Sequence, residues 1–127
     1  MLVKDYMTSA PITVHRDDNY DIAFEIMESK NMHHLPVVDS DNQVVGIVTR
    51  RDLQLAARVF KEAPAEIAEV MHSPVLTIPA DVNLSTAVKQ MHENRIGCLP
   101  VIDGSKHVIG VLTETDLFRA LTDLLER

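Results

Sequence analysis

The sequence predicts an α/β fold made of two pseudo-two-fold-related β-α-β-β-α units packed through their small sheets. Two observations predict it. Slid against itself by 64 positions, the chain superposes Val3–Leu53 on Ile67–Leu117 without a gap, with 16 identities in 51 positions. Within each copy the apolar period switches in the same order, from strand to helix, to two strands, and to a second helix. Two copies that each have one apolar face to hide close on each other rather than extend as a solenoid.

Each element has a local reason. Ile12–Val14 reads as a short first strand, and Leu76–Ile78 is its counterpart. Asp17, Asp18 and Asn19 supply cap-type side chains ahead of Tyr20, Ala23, Phe24 and Met27, whose spacing marks one helical face. Leu84, Ala87, Val88 and Met91 repeat that stripe. Leu35–Val38 and Gln43–Val48, rich in β-branched residues around a polar turn at Asp39–Asn42, predict a hairpin. The second copy has Leu99–Ile102, a turn at Asp103–Lys106, and His107–Leu112. Thr49 and Thr113 open second helices that run to about Phe60 and Leu125. Lys61–Glu66, with Pro64 as breaker, reads as a linker (61–66) between units 1–60 and 67–127.

Composition narrows the function classes. At 127 residues, 46% hydrophobic and 24% charged, the chain can bury a core but is too short for a large enzyme. Aromatics are 4% and Trp is absent, so the core is aliphatic and base-stacking platforms are lacking. A formal charge of −7 opposes nucleic acid and anionic membrane surfaces. With no signal-like start and no run near the ~18 apolar residues of a membrane span, a cytoplasmic protein is expected. Cys98 stands alone, which excludes an intrachain disulfide and a cysteine zinc cluster. His33 and His34 are neighbours on a strand and point to opposite faces, so they predict no metal site. His15, His72, His92 and His107 read as surface residues. Gly-x-Ser-x-Gly, Walker and Gly-x-Gly-x-x-Gly patterns are missing, and no enzyme activity is expected.

The chemistry-bearing motif occurs twice, as Gly46-Ile47-Val48-Thr49-Arg50-Arg51-Asp52 and Gly110-Val111-Leu112-Thr113-Glu114-Thr115-Asp116. One reading is a capping box, in which Thr caps the helix and Asp reaches back to the cap amide. The other is a ligand site: a helix N-terminus and hydroxyl favour phosphate, and a carboxylate one turn on can accept both hydroxyls of a ribose. The two readings are compatible.

With Leu35-Pro36-Val37-Val38-Asp39 and Leu99-Pro100-Val101-Ile102-Asp103 ahead of those motifs, the chain resembles the CBS domain family, named after cystathionine β-synthase, over essentially its whole length. Its opening Met1–Thr8 and its ending Leu112–Leu121 look like the CBS part of acetoin-utilisation regulatory (AcuB-like) proteins, which usually continue into an ACT domain not contained in these residues. The resemblance implies a regulatory module binding an adenosyl ligand (AMP, ADP, ATP, NAD or S-adenosylmethionine) in clefts between the two units, with no other cofactor. It implies one cleft of Thr49 and Asp52 with Ser73, Pro74, Leu76, Thr77, Ile96 and Gly97, and a second of Thr113 and Asp116 with Ala10, Ile12, Thr13, Met32 and His33. His34 and Arg50, with His33 nearby, are expected at the phosphate end of the first cleft. Cys98 and Glu114 stand in the corresponding places of the second, so tighter binding is expected at Asp52.

Leu117, Phe118, Leu121, Leu124 and Leu125 give the last helix a wide apolar face, matched in the first copy by Leu53, Ala56, Ala57 and Phe60. A symmetric homodimer and a regulated partner protein are expected. The alternative from another class is a structural homodimerisation module whose Thr and Asp residues are only helix caps and which binds no small molecule.

Overall fold

The computed structural model describes residues 1–61 and 63–127, which group by their contacts into two compact units, residues 12–75 and residues 1–11 with 76–127. Among the described residues the helices are α1 (Val3–Tyr6), α2 (Tyr20–Lys30), α3 (Arg50–Phe60), α4 (Leu84–Asn94) and α5 (Glu114–Leu125), with a 3-10 turn at Ile67–Glu69. The strands are β1 (Thr8–Ser9), β2 (Val14–His15), β3 (His34–Val38), β4 (Val44–Thr49), β5 (Ile78–Pro79), β6 (Cys98–Ile102) and β7 (Val108–Thr113).

In unit 12–75 the expected hairpin is β3 against β4, antiparallel with His34 opposite Thr49 and Val37 opposite Gly46, and β2 joins β3 in parallel. Asp39 builds the turn: its Oδ1 accepts the amides of Asp41 (2.9 Å) and Gln43 (3.0 Å), while Asn42 takes the left-handed conformation at φ 59°. Asn19 caps α2 by accepting the Asp21 amide at 3.1 Å, and Asn31 ends it at φ 53°. The predicted stripe Tyr20, Ala23 and Met27 is buried against Leu35, Val48 and Leu53. Burying side chains of this size contributes about 1.5–3 kcal/mol each relative to exposure.

Unit 1–11/76–127 repeats the arrangement with one strand more, in the order β1-β7-β6-β5. Its core joins Leu84, Ala87 and Met91 of α4 to Leu99, Val101 and Leu112 of the hairpin. Lys106 and Arg95 occupy the left-handed positions, at φ 66° and 54°, that Asn42 and Asn31 fill in the other unit.

The units do not follow the repeat boundary at 61–66. Thr8 and Ser9 pair with Val111 and Gly110 of β7, and the Val3 and Lys4 amides donate to Val82 and Ala80 carbonyls at 2.9 Å, so the first residues belong with the second repeat. Correspondingly, Ile67 and Ala68 donate to the carbonyls of Asp18 (2.8 Å) and Arg16 (2.9 Å). These opening segments were not foreseen as structure, because four-residue turns and two-residue strands are too short to display a period.

On α5, Leu117 packs against the core while Phe118 (66%), Leu121 (50%) and Leu125 (75%) are exposed. On α3, the expected counterparts Leu53 and Ala56 are core residues instead, and Leu55 and Val59 face out. Among the described residues no helix is long and apolar enough to cross a membrane.

Candidate ligand site: a capping carboxylate in each unit

At the β4–α3 junction the capping box is complete. Asp52 Oδ2 accepts the Thr49 amide at 2.9 Å and the Thr49 hydroxyl at 2.8 Å, and Thr49 Oγ1 accepts the Asp52 amide at 3.2 Å. The other carboxylate oxygen, Oδ1, lies 2.9 Å from His72 Nε2. Asp52 is largely enclosed, its side chain 14% exposed, whereas the His72 side chain is 66% exposed.

Gly46 makes this geometry feasible. A β-carbon there would stand 2.5 Å from Met71 Sδ and 2.9 Å from the His72 carbonyl oxygen. With only hydrogen at that position, the incoming segment crosses β4, exchanging Ile47 N–H to His72 O (3.1 Å) and His72 N–H to Ile47 O (2.8 Å). Ser73 Oγ then donates to the Val45 carbonyl at 3.0 Å. The His72 side chain is thereby carried to the first turn of α3.

The second unit builds the same site with other side chains. Asp116 Oδ2 accepts the Thr113 amide at 2.9 Å and its hydroxyl at 3.3 Å. Its Oδ1 is 3.5 Å from Thr8 Oγ1 and 3.7 Å from Arg119 Nη2, and Asp116 is 3% exposed. Arg119 is itself anchored, donating to the Tyr6 carbonyl at 2.6 Å with its guanidinium 5.6 Å from the Tyr6 ring centre. Gly110 again admits the crossing segment: a β-carbon would meet Met7 Sδ at 2.6 Å and the Thr8 carbonyl oxygen at 3.1 Å. Cys98, opposite Thr113 in the hairpin, is buried, and burial together with the Asp116 charge pushes its thiol up to about 12.

Of the residues expected around Thr49 and Asp52, His34, Arg50, Ser73 and Pro74 lie in the same compact unit, while Leu76, Thr77, Ile96 and Gly97 belong to the other. Of those expected around Thr113 and Asp116, Ala10 shares their unit, and Ile12, Thr13, Met32 and His33 do not. Arg50 departs from its expected place. Its Nη2 donates to the carbonyls of Met27 (2.9 Å) and Met32 (3.1 Å), and Nη1 lies 3.6 Å from Glu28, so the guanidinium closes the C-terminal end of α2. Nη1 and Nη2 are thus engaged at α2, while Nε is buried without a hydrogen-bond partner among the described residues. His72, Thr8 and Arg119 were missed. The repeat register carried the signal for two of them, since His72 and Thr8 occupy one position, immediately before the identical Ser73 and Ser9.

Comparison with known proteins gives these carboxylates a context. Residues 3–58 and 67–123 each match the CBS domain. A CBS domain-containing protein of Dictyostelium discoideum is 32% identical over 99% of this chain and 94% of its own length. The inosine-5'-monophosphate dehydrogenase of Thermoplasma acidophilum is 34% identical over 92% of this chain, which spans only 22% of that enzyme. Among solved structures, an acetoin utilization protein (AcuB) of Vibrio cholerae superposes with a TM-score of 0.88 at 32% identity, covering 99% of this chain and 93% of that one. The CBS domain pair of protein MJ0100, solved with 5'-methylthioadenosine and S-adenosyl-L-methionine, superposes with a TM-score of 0.87 at 31% identity and 97% of both chains. CBSX2, solved with AMP, does so with a TM-score of 0.85 at 28% identity, covering 99% of this chain and 98% of that one. The chain belongs to the CBS domain family, as a tandem pair of such domains.

Proposed function

We propose that this CBS pair is a regulatory module that binds an adenosyl ligand, with Asp52 and Asp116 as the groups that hold the ribose. The observation that carries the reading is the bound chemistry of its relatives. The MJ0100 pair was solved with 5'-methylthioadenosine and S-adenosyl-L-methionine, and CBSX2 with AMP. These ligands share adenosine with an intact 2',3'-diol and differ beyond the 5' carbon. A carboxylate that presents one oxygen beyond its capping role is the side chain best suited to a vicinal diol.

The proposed role is regulatory, and the activities of the enzymes that share this module remain those enzymes' own. A ligand acts on a partner only through different affinity for two states. The exposed Phe118, Leu121 and Leu125 of α5 support a homodimer as the body that carries the signal.

A second reading is favoured by the mutual hydrogen bonding of Thr49 and Asp52 in a complete capping box: a structural dimerisation module in which both carboxylates are caps alone. Thermal unfolding with AMP, ATP, NAD and S-adenosylmethionine separates the two. A ligand at 100 times its Kd stabilises by about 2.7 kcal/mol. A melting shift with at least one adenosyl compound, reduced by Asp52→Asn or Asp116→Asn, supports the sensor. No shift with any of them leaves the dimerisation module.

A further inference from the structure

We infer that His72 is an internal latch on Asp52, an imidazole that occupies the carboxylate oxygen a ribose would need and must swing out before the diol is gripped. This rests on the adenosyl reading above and concerns the regulation of the same site. An ionised carboxylate offers about four acceptor positions. At Asp52 three are filled: two on Oδ2 by the Thr49 amide and hydroxyl, and one on Oδ1 by His72 Nε2 at 2.9 Å. One position remains, whereas a vicinal diol brings two donors. With the imidazole in place Asp52 can hold only one hydroxyl, and moving His72 away restores the second position.

The other unit shows what the site looks like without the latch. At the equivalent position stands Thr8, whose hydroxyl is 3.5 Å from Asp116 Oδ1, at the outer limit of a hydrogen bond. That contact is weak, and the long planar donor on this side, Arg119, stands 3.7 Å from Oδ1 because it is anchored on the Tyr6 carbonyl, so both contacts are looser than the 2.9 Å one that His72 makes. His72 also has the freedom to leave. Its backbone is pinned to Ile47 in both directions, but its side chain is 66% exposed and can rotate into water without moving the chain. An ion-pair-like contact so open to solvent is weak, so the latch adjusts affinity rather than closing the site.

The test isolates the Asp52 site in an Asp116→Asn background, which keeps an oxygen for the Thr113 cap. Adenosine and AMP are titrated by calorimetry against this protein and against added His72→Ala and His72→Thr. The latch predicts that both substitutions tighten adenosine and AMP alike, by about two- to fivefold, and that the gain disappears when Asp52→Asn is also present. Unchanged affinity overturns the latch while leaving the adenosyl reading standing. Weaker AMP binding with unchanged adenosine also overturns it and makes His72 a phosphate contact. Absence of Asp52-dependent binding in every protein, including the one retaining His72, removes the adenosyl reading at Asp52 and the latch with it.

Discussion

Gly46 and His72 touch backbone to backbone: a β-carbon at Gly46 would lie 2.9 Å from the His72 carbonyl oxygen. That approach sets both the crossing of β4 and the position of His72 beside Asp52. Gly46→Ala is expected to destabilise by about 1–3 kcal/mol, since behind the Met71 side chain, which can yield, stands the His72 carbonyl oxygen at 2.9 Å, main chain that cannot move aside. Gly110→Ala should cost less, because the methionine side chain is about as close there but the backbone oxygen is 3.1 Å away rather than 2.9 Å. Urea unfolding of the two variants checks the order, and an equal or reversed cost contradicts it.

Lys106 and Arg95 are side chains in left-handed positions for which their own repeat supplies the better residue, asparagine at 42 and 31. Lys106→Asn and Arg95→Asn are each expected to stabilise by about 0.5–1 kcal/mol, because Asn tolerates that conformation and stabilises turns and helix ends locally. Thermal denaturation reads this as a rise of a few degrees.

Cys98 should be inert in the folded protein. Its thiol is held up to about 12 by burial, with the Asp116 charge adding to the effect, so almost none is thiolate near neutral pH. A disulfide reagent at pH 8 should label it only after unfolding. The sign of the linked pH effect follows. Below about pH 9 the thiol is protonated in both states and contributes no slope. Above it the unfolded thiol ionises first, so stability falls by about 1.4 kcal/mol per pH unit until the folded thiol titrates. Cys98→Ala should flatten the alkaline limb of the stability curve by that amount.

Arg50 is expected to matter for folding and not for the ligand. Arg50→Met removes donors from the Met27 and Met32 carbonyls while keeping much of the stem, at a cost of about 1–2 kcal/mol. The ratio of AMP to adenosine affinity should be unaffected. A specific loss of AMP binding would return the guanidinium to the phosphate end.

Much of the architecture was legible because its signals are periodic. The Tyr20–Met27 stripe, the paired hairpins and the Thr49 and Thr113 helix starts all emerge from spacing and cap chemistry. The crossing of Met7–Ser9 and Met71–Ser73 over a neighbouring strand was not legible, because no local pattern says which distant strand a two-residue segment joins. Its trace was the shared identity of Met7 with Met71 and Gly46 with Gly110, whose meaning needs three dimensions. At the candidate site, the capping role of the two carboxylates was legible because their spacing from Thr is fixed by one helical turn. His72 escaped since its link to Asp52 spans 20 residues, and Arg50 was misplaced because proximity in the chain does not say which way a long side chain turns.

The chain starts in one body, leaves it after Pro11, completes the other by Val75, and returns. A gene cut at the 61–66 junction would yield two products, each deprived of the opening segment that its hairpin uses and each burdened with a foreign one. Residues 12–75 form a continuous piece that keeps one whole body together, while the complementary body could be produced as a single continuous polypeptide only by joining Arg127 to Met1 or bridging Pro11 to Leu76.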